Sequence, residues 1–244
     1  MPLREEMESA GHWLFRWRSY LPLGLLALVL AVTATGPDAH ARPWYPEWLA
    51  FCLAVAVAGQ LVRVFTVAYV PAGTSGRQTS GQVAEHLNTG GMYALVRHPL
   101  YVGNFLMWLG PALYPFDGWL AAVVVLVFWV YYERIMFAEE EYLRRSYGEP
   151  YERWAARTPA FIPRLAGWHP PELPFSFRTV LRRELSSFFG LVSVFTAVEL
   201  ANNLAHGRTP LTPPWLIFFG SGLLIFLVLA FLKKKTRVLR VEGR

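Results

Sequence analysis

Apolar runs alternate with polar segments along this chain in a pattern that predicts about six membrane-spanning helices. The runs cover residues 20–35, 47–70, 99–114, 118–133, 186–205 and 214–232. Gly36-Pro37 ends the first and Lys233-Lys234-Lys235 ends the last. Tyr114-Pro115-Phe116-Asp117-Gly118 leaves room only for a tight turn, so the third and fourth spans form an antiparallel hairpin. Residues 71–91, rich in Gly, Thr, Ser, Gln and Asn, read as a polar loop that delivers the chain to the third span. From 134 to 185 the chain turns polar and basic. A helix is expected over 134–147, with Glu140 and Arg144, and Glu141 and Arg145, at i,i+4 spacing. Gly148 and Pro150 interrupt it, a short helix follows to about 157, and Pro159 and Pro163 stop that one. Pro170, Pro171 and Pro174 link onward to the fifth span.

Residues 1–19 are polar, with Trp13, Phe15 and Trp17 interleaved with Arg16 and Arg18, as in an interfacial anchor. Ala39-His40-Ala41 has the form of a signal-peptidase site, but a long leader carrying Glu5, Glu6 and Glu8 argues against cleavage. The expected fold is an all-α polytopic membrane helix bundle with both termini cytosolic. It divides into N-terminal helices (1–70), a core of two spans and a cytosolic helix (71–165), and a C-terminal linker with a helical hairpin (166–244).

Composition agrees: 54% of residues are apolar and the mean hydropathy is +0.30. The net charge of +6 first suggests nucleic acid, but its placement excludes that. All but three of the 23 Lys and Arg fall on one set of alternate segments; Arg42 and Arg208 lie in the opposite loops and Arg63 within the second span. By the positive-inside rule the charge is a topology signal that also attracts anionic lipid headgroups. Neither nucleic acid nor an obligate protein partner is implied. A single cysteine, Cys52, excludes an intramolecular disulfide and any multi-cysteine metal cluster, and its apolar run makes it a small packing residue. Gly220-Ser221-Gly222 inside the sixth span reads as close helix packing, and Glu199, Asn202 and Asn203 as helix-to-helix hydrogen bonding. His86 and His98 match no metal-ligand spacing, so no metal is expected.

The candidate chemistry gathers in Gly90-Gly91-Met92-Tyr93-Ala94-Leu95-Val96-Arg97-His98-Pro99-Leu100-Tyr101-Val102-Gly103-Asn104. Pro99, with fixed φ and no amide hydrogen, suits a helix's first turn. Arg97 and His98 then sit at the positive end of the dipole beside free amides, a place for an anion or the polar end of a cofactor. Simple capping of a membrane helix accounts for the same features. Arg63 is expensive inside a span and either faces the bundle or snorkels to the interface. Asn104 and Trp108, one turn apart, line a lipid-entry groove or merely pack. Arg157 shares its segment with eight other basic residues and on that ground binds lipid headgroups.

Taken with Glu139-Glu140-Glu141-Tyr142-Leu143, Tyr147-Gly148, Tyr151 and Arg157-Thr158-Pro159-Ala160-Phe161-Ile162-Pro163, the central stretch resembles the isoprenylcysteine carboxyl methyltransferase and phospholipid methyltransferase family. The likeness covers roughly residues 87–164. It implies an integral-membrane enzyme that uses S-adenosylmethionine. On the family's pattern, Tyr93, Arg97, His98, Pro99, Tyr101 and Gly103 contact the cofactor, and Glu139 and Glu140 offset its ammonium and sulfonium charge. Arg157 stands where the family carries an arginine near the acceptor's anionic group, which implies a bidentate clamp on a carboxylate or phosphate. Arg157 and Asn104 are the catalytic candidates; Arg63, Trp108 and Arg157 are the candidates for substrate binding. Three consecutive glutamates span most of a helix's circumference, so Glu141 is assigned to a solvated face with Arg145. Where the family places an arginine four residues before the glutamate pair, Arg134 stands five before it.

Methyl transfer from a sulfonium needs positioning more than proton movement, and an anionic acceptor oxygen needs no general base. Donor and acceptor charges cancel along the reaction, so a site sealed from water favours the transition state. The implied acceptor is a prenylcysteine carboxylate, a phospholipid headgroup or a lipid-linked phosphate. The chain also resembles bacterial members, which implies a bacterial cytoplasmic membrane with the site facing the cytosol. A sterol-reductase-like enzyme using NADPH shares the histidine-proline and tyrosine-rich pattern. A scaffold or transporter is the remaining alternative, but a transport path would place polar groups near the bilayer midplane.

Overall fold

The structure, a computed structural model, describes residues 2–71, 73–74 and 86–244. Ala72 and residues 75–85 of the expected polar loop lie outside the described residues. Among the described residues every regular element is helical: α1 (Leu3–Trp17), α2 (Leu21–Thr35), α3 (Tyr45–Val67), α4 (Met92–Leu95), α5 (Pro99–Leu113), α6 (Gly118–Tyr147), α7 (Glu149–Ala155), α8 (Phe177–Ala205) and α9 (Pro213–Lys235). Helices α3, α6, α8 and α9 are long and apolar enough to cross a membrane; α1 with α2, bent by 69°, makes a fifth if counted as one crossing. The expected third span forms as α5, with 15 residues. At about 1.5 Å per residue it reaches only about 22 Å, short of a hydrocarbon core of about 30 Å. Length and composition thus qualify four to five crossings rather than six.

The expected fourth span and the cytosolic helix after it are one element. Asp117 caps the start of α6, its carboxylate accepting the Leu120 amide at 2.7 Å, and no residue before Gly148 breaks the ladder. Gly148 ends α6 at φ +56°, a conformation that costs a side-chain-bearing residue heavily. Thirty residues reach about 45 Å, so the acidic end of α6 stands about 15 Å beyond the apolar core. Helix α8 likewise starts earlier than 186, because Ser176 caps it by accepting the Thr179 amide.

Small residues set the tightest packing, between α3 and α5. A Cβ added to Gly103 would lie 2.5 Å from Arg63 Cγ and 2.8 Å from the Gly59 carbonyl oxygen. Close backbone approach of this kind replaces the hydrophobic drive that lipid cannot supply. The head of the chain, expected as an interfacial anchor, is helical. Helix α1 lies along α6, where Arg4 pairs with Glu141 and Glu8 with Arg145.

Two polar knots tie the bundle. At one end the fully buried Glu199 of α8 accepts hydrogen bonds from Tyr45, Tyr114 and Asn203 and contacts His40 at 2.9 Å. Nearer the other end, Arg63 of α3 makes a two-pronged ion pair with Glu184 of α8, with both contacts at 2.8 Å. Gln60 donates to the same carboxylate at 3.0 Å. A buried charge of either sign is tolerated only when paired and hydrogen-bonded, and each knot meets that condition across helices.

Candidate active site

Pro99 opens α5, as its missing amide hydrogen requires, and His98 is the cap residue. The backbone amides of Arg97 and His98 are not free. They donate to the carbonyls of Pro159 (2.9 Å) and Ala160 (3.2 Å), so the strap after α7 is pinned against the start of α5. Further bonds fix the strap: the Arg164 amide to the Leu95 carbonyl (2.9 Å), the Gly91 amide to the His169 carbonyl (3.0 Å) and the Trp154 indole to the Tyr93 carbonyl (3.2 Å).

The side chains of this corner meet the acidic end of α6. His98, only 6% exposed, contacts Glu140 through Nε2 at 2.9 Å and Glu139 through Nδ1 at 3.5 Å. Tyr101 donates to Glu139 at 2.6 Å and lies stacked near the His98 ring. Arg97 reaches Glu140 at 3.1 Å. Burial alone would lower the His98 pKa, but the hydrogen bonds and charges of Glu139 and Glu140 outweigh it and raise the value. With both ring nitrogens facing carboxylates, the imidazolium is the matching form. Burial, and then the negative charge of Glu140, push the Tyr151 phenol pKa up, so it stays a donor.

Two buried donors here have no hydrogen-bond partner: Arg97 Nε and the Tyr151 hydroxyl. Buried polar atoms left unpaired are costly, and they mark where a ligand's acceptor would be stabilised. A second space opens beside the strap. A cavity of about 530 Å³ is lined by Arg153, Trp154, Arg157, Arg164 and His169, with Thr158 in its wall.

The structure brings together Arg97, His98, Tyr101, Glu139 and Glu140, residues some forty positions apart in the chain. Tyr93 lies beside them in α4 with its carbonyl held by Trp154, and Pro99 is buried as the helix start. Several other expectations are redirected. Gly103 faces α3, with the Arg63 stem where a Cβ would be, so it is a packing residue. Arg63 neither snorkels nor lies open to a substrate: Glu184 and Asn104 hold its guanidinium. Asn104 accepts from Arg63 at 2.6 Å and donates to Tyr132 at 3.2 Å, which makes it a link between α3 and α6. Trp108 packs with Phe128 and Tyr132, and Phe161 from the strap joins that cluster. Glu141 is buried, paired with Arg4 and with Arg144 at 2.9 Å instead of Arg145, because α1 covers its face of α6. Arg157 lies apart from the acidic pair, in the cavity beside the strap.

No motif or periodicity singles out Glu184, which lies outside the expected fifth span, although a charge such as Arg63 demands a partner. Tyr151 stands in the sequence only as part of the family motif. Among the described residues no group of His, Cys, Asp or Glu could hold a metal ion.

The profile of the phospholipid methyltransferase family matches residues 48–150, which contain the histidine corner and the glutamate pair. A nickel-cobalt-cadmium resistance protein, NccN, of Alcaligenes xylosoxydans xylosoxydans is 32% identical over 195 residues, covering 77% of this chain and 83% of that protein. The chain belongs to the isoprenylcysteine carboxyl methyltransferase and phospholipid methyltransferase family. As a member it is an integral-membrane methyltransferase. The protein-S-isoprenylcysteine O-methyltransferase of Schizosaccharomyces pombe is 36% identical over 77 residues, 32% of this chain and 33% of that one. Protein-S-isoprenylcysteine O-methyltransferase B of Arabidopsis thaliana is 31% identical over 125 residues, 48% and 60% of the two chains. No solved structure matches this family member. The profile match stops at residue 150, so Tyr151, Arg157 and Glu184 stand outside it.

Proposed function

We propose that this methyltransferase takes its methyl group from S-adenosylmethionine and delivers it to an acceptor embedded in a bacterial cytoplasmic membrane, at the cytosolic face. One observation carries the reading: the histidine corner of α5 and the acidic end of α6 meet in one polar cluster beside two unclaimed buried donors. Those groups fit the amino-acid end of such a donor. Glu139 and Glu140 complement an ammonium and a sulfonium, while Arg97 Nε and the Tyr151 hydroxyl suit a carboxylate. The bound donor supplies an electrophilic methyl group; everything else is orientation and exclusion of water by this chain.

Arg157 orients the acceptor by holding its anionic group, which leaves a free oxygen as the nucleophile without a general base. O-methylation of a carboxylate or of a lipid headgroup or lipid-linked phosphate is therefore favoured. The placement of Lys and Arg supports a cytosolic site, with the acidic end of α6 and the arginine-rich strap on the same side. The test is transfer of label from methyl-labelled S-adenosylmethionine to a bacterial lipid extract by detergent-purified protein. Arg157→Ala should abolish turnover with donor binding retained; turnover equal to wild type would refute its role. Binding of NADPH in place of the donor would favour the reductase alternative.

A further inference from the structure

A hydrogen-bond chain of fixed direction runs from α8 to the residues around the methyl-donor site. It starts at Glu184, only 4% exposed, whose carboxylate can only accept. Arg63 can only donate, and Glu184 takes two of its N–H groups at 2.8 Å. The same carboxylate draws the Gln60 amide nitrogen to itself and leaves the Gln60 oxygen without a partner. The remaining prong of Arg63 donates to Asn104 at 2.6 Å, so the Asn104 amide must present its oxygen to α3 and its nitrogen to α6. That nitrogen donates to the Tyr132 hydroxyl oxygen at 3.2 Å. Among the described residues Tyr132 makes no other hydrogen bond, so the direction of the chain leaves its hydroxyl hydrogen uncommitted. The Tyr132 ring is stacked on Phe128 at 4.1 Å and lies 4.7 Å from the ring of Tyr101, which donates to Glu139. Gly103 lets the Arg63 stem cross α5 where a Cβ would block it.

We propose that Glu184 is a positioning residue for methyl transfer: through Arg63 and Asn104 it fixes Tyr132 as a hydrogen-bond donor beside Tyr101, in the wall of the donor site. The inference rests on the donor reading above. It gives a role in the reaction to a residue of α8 that lies outside residues 48–150, the stretch the family profile matches. A buried ion pair is often replaceable by an apolar pair without loss of stability, so stability alone does not account for Arg63 and Glu184 inside the bundle. What an apolar pair cannot supply is direction. Without the guanidinium, Asn104 is free to turn its nitrogen away, and Tyr132 loses the contact that sets its hydroxyl.

The experiment is calorimetric titration of S-adenosylhomocysteine into the detergent-purified full chain, with the melting temperature of each variant measured beside it. The variants are Tyr132→Phe, Arg63→Met with Glu184→Leu, and all three changes together. The pair replacement should melt near the wild type yet bind about fivefold more weakly, and Tyr132→Phe should lose as much, one hydrogen bond being worth that factor. The triple variant should bind no more weakly than either, because both changes break one chain. Wild-type affinity in the pair replacement, or losses that multiply in the triple variant, overturns the proposal. Should the pair replacement fail to fold, Asn104→Asp decides. It keeps an oxygen for Arg63 but lets Tyr132 donate to it, so it should weaken binding about fivefold, and unchanged affinity overturns the proposal. No binding to the wild type refutes the donor reading itself, and the melting temperatures then decide the chain. Tyr132→Phe should cost fewer degrees in the replaced background, where Asn104 is free to turn, than in the wild type; an equal cost in both overturns it.

Discussion

Glu184→Ala is the perturbation whose size follows most directly from the structure. It would strip Arg63 of two contacts of 2.8 Å and leave a guanidinium only 13% exposed inside the bundle, with Asn104 as its remaining partner. Removing one partner of a buried pair costs about 3–5 kcal/mol, because the other charge stays desolvated. By contrast Arg153 and Glu149, both largely exposed, form a pair worth at most about 1 kcal/mol. For a chain of this size that difference becomes a drop in melting temperature on the order of 10 °C for Glu184→Ala and of a few degrees or less for Glu149→Ala. Thermal unfolding in one detergent, followed by intrinsic tryptophan fluorescence, measures both. Replacing the pair together, Arg63→Met with Glu184→Leu, should recover most of the loss, since an apolar pair carries no desolvation cost. If Glu184→Ala melts with Glu149→Ala, or the double variant is worse than the single, the buried-pair account is wrong.

Gly103→Ala should destabilise by about 1–3 kcal/mol, since its Cβ would meet Arg63 Cγ at 2.5 Å; an unchanged melting temperature would mean that α3 and α5 separate without cost. His98 gives a pH signature. Its raised pKa contributes stability that is fully present below the unfolded imidazole value and fades as pH rises through the folded one. The wild-type advantage in melting temperature over His98→Gln should therefore shrink as pH rises above the ordinary imidazole value of about 6.5; a constant advantage would refute the charged pairing.

The apolar periodicity made α3, α5 and α9 legible, with Pro99 marking the start of α5. It missed the continuity of α6, because the switch from apolar to charged residues near 134 marks the membrane surface and not a break in the backbone. Spacing also misassigned Glu141. The i,i+4 rule sees only one helix, and nothing local announces that α1 folds back to set Arg4 on Glu141 and Glu8 on Arg145. Arg63 was readable as a charge in need of a partner, but its choice of Glu184 is a tertiary fact carried by α8. The histidine corner and the glutamate pair were visible through their resemblance to a family motif. Their contact, and the strap that closes over the amides of Arg97 and His98, needed coordinates.

The central claim is that the corner of α5 and the acidic end of α6 together hold one methyl donor. Calorimetric titration of S-adenosylhomocysteine into detergent-purified wild type, His98→Ala and Glu140→Gln tests it most directly. The account predicts binding to the wild type and a loss of at least about tenfold in each variant, one charge-assisted contact being worth that much. No binding to the wild type, or Glu140→Gln binding as tightly as wild type, would contradict it.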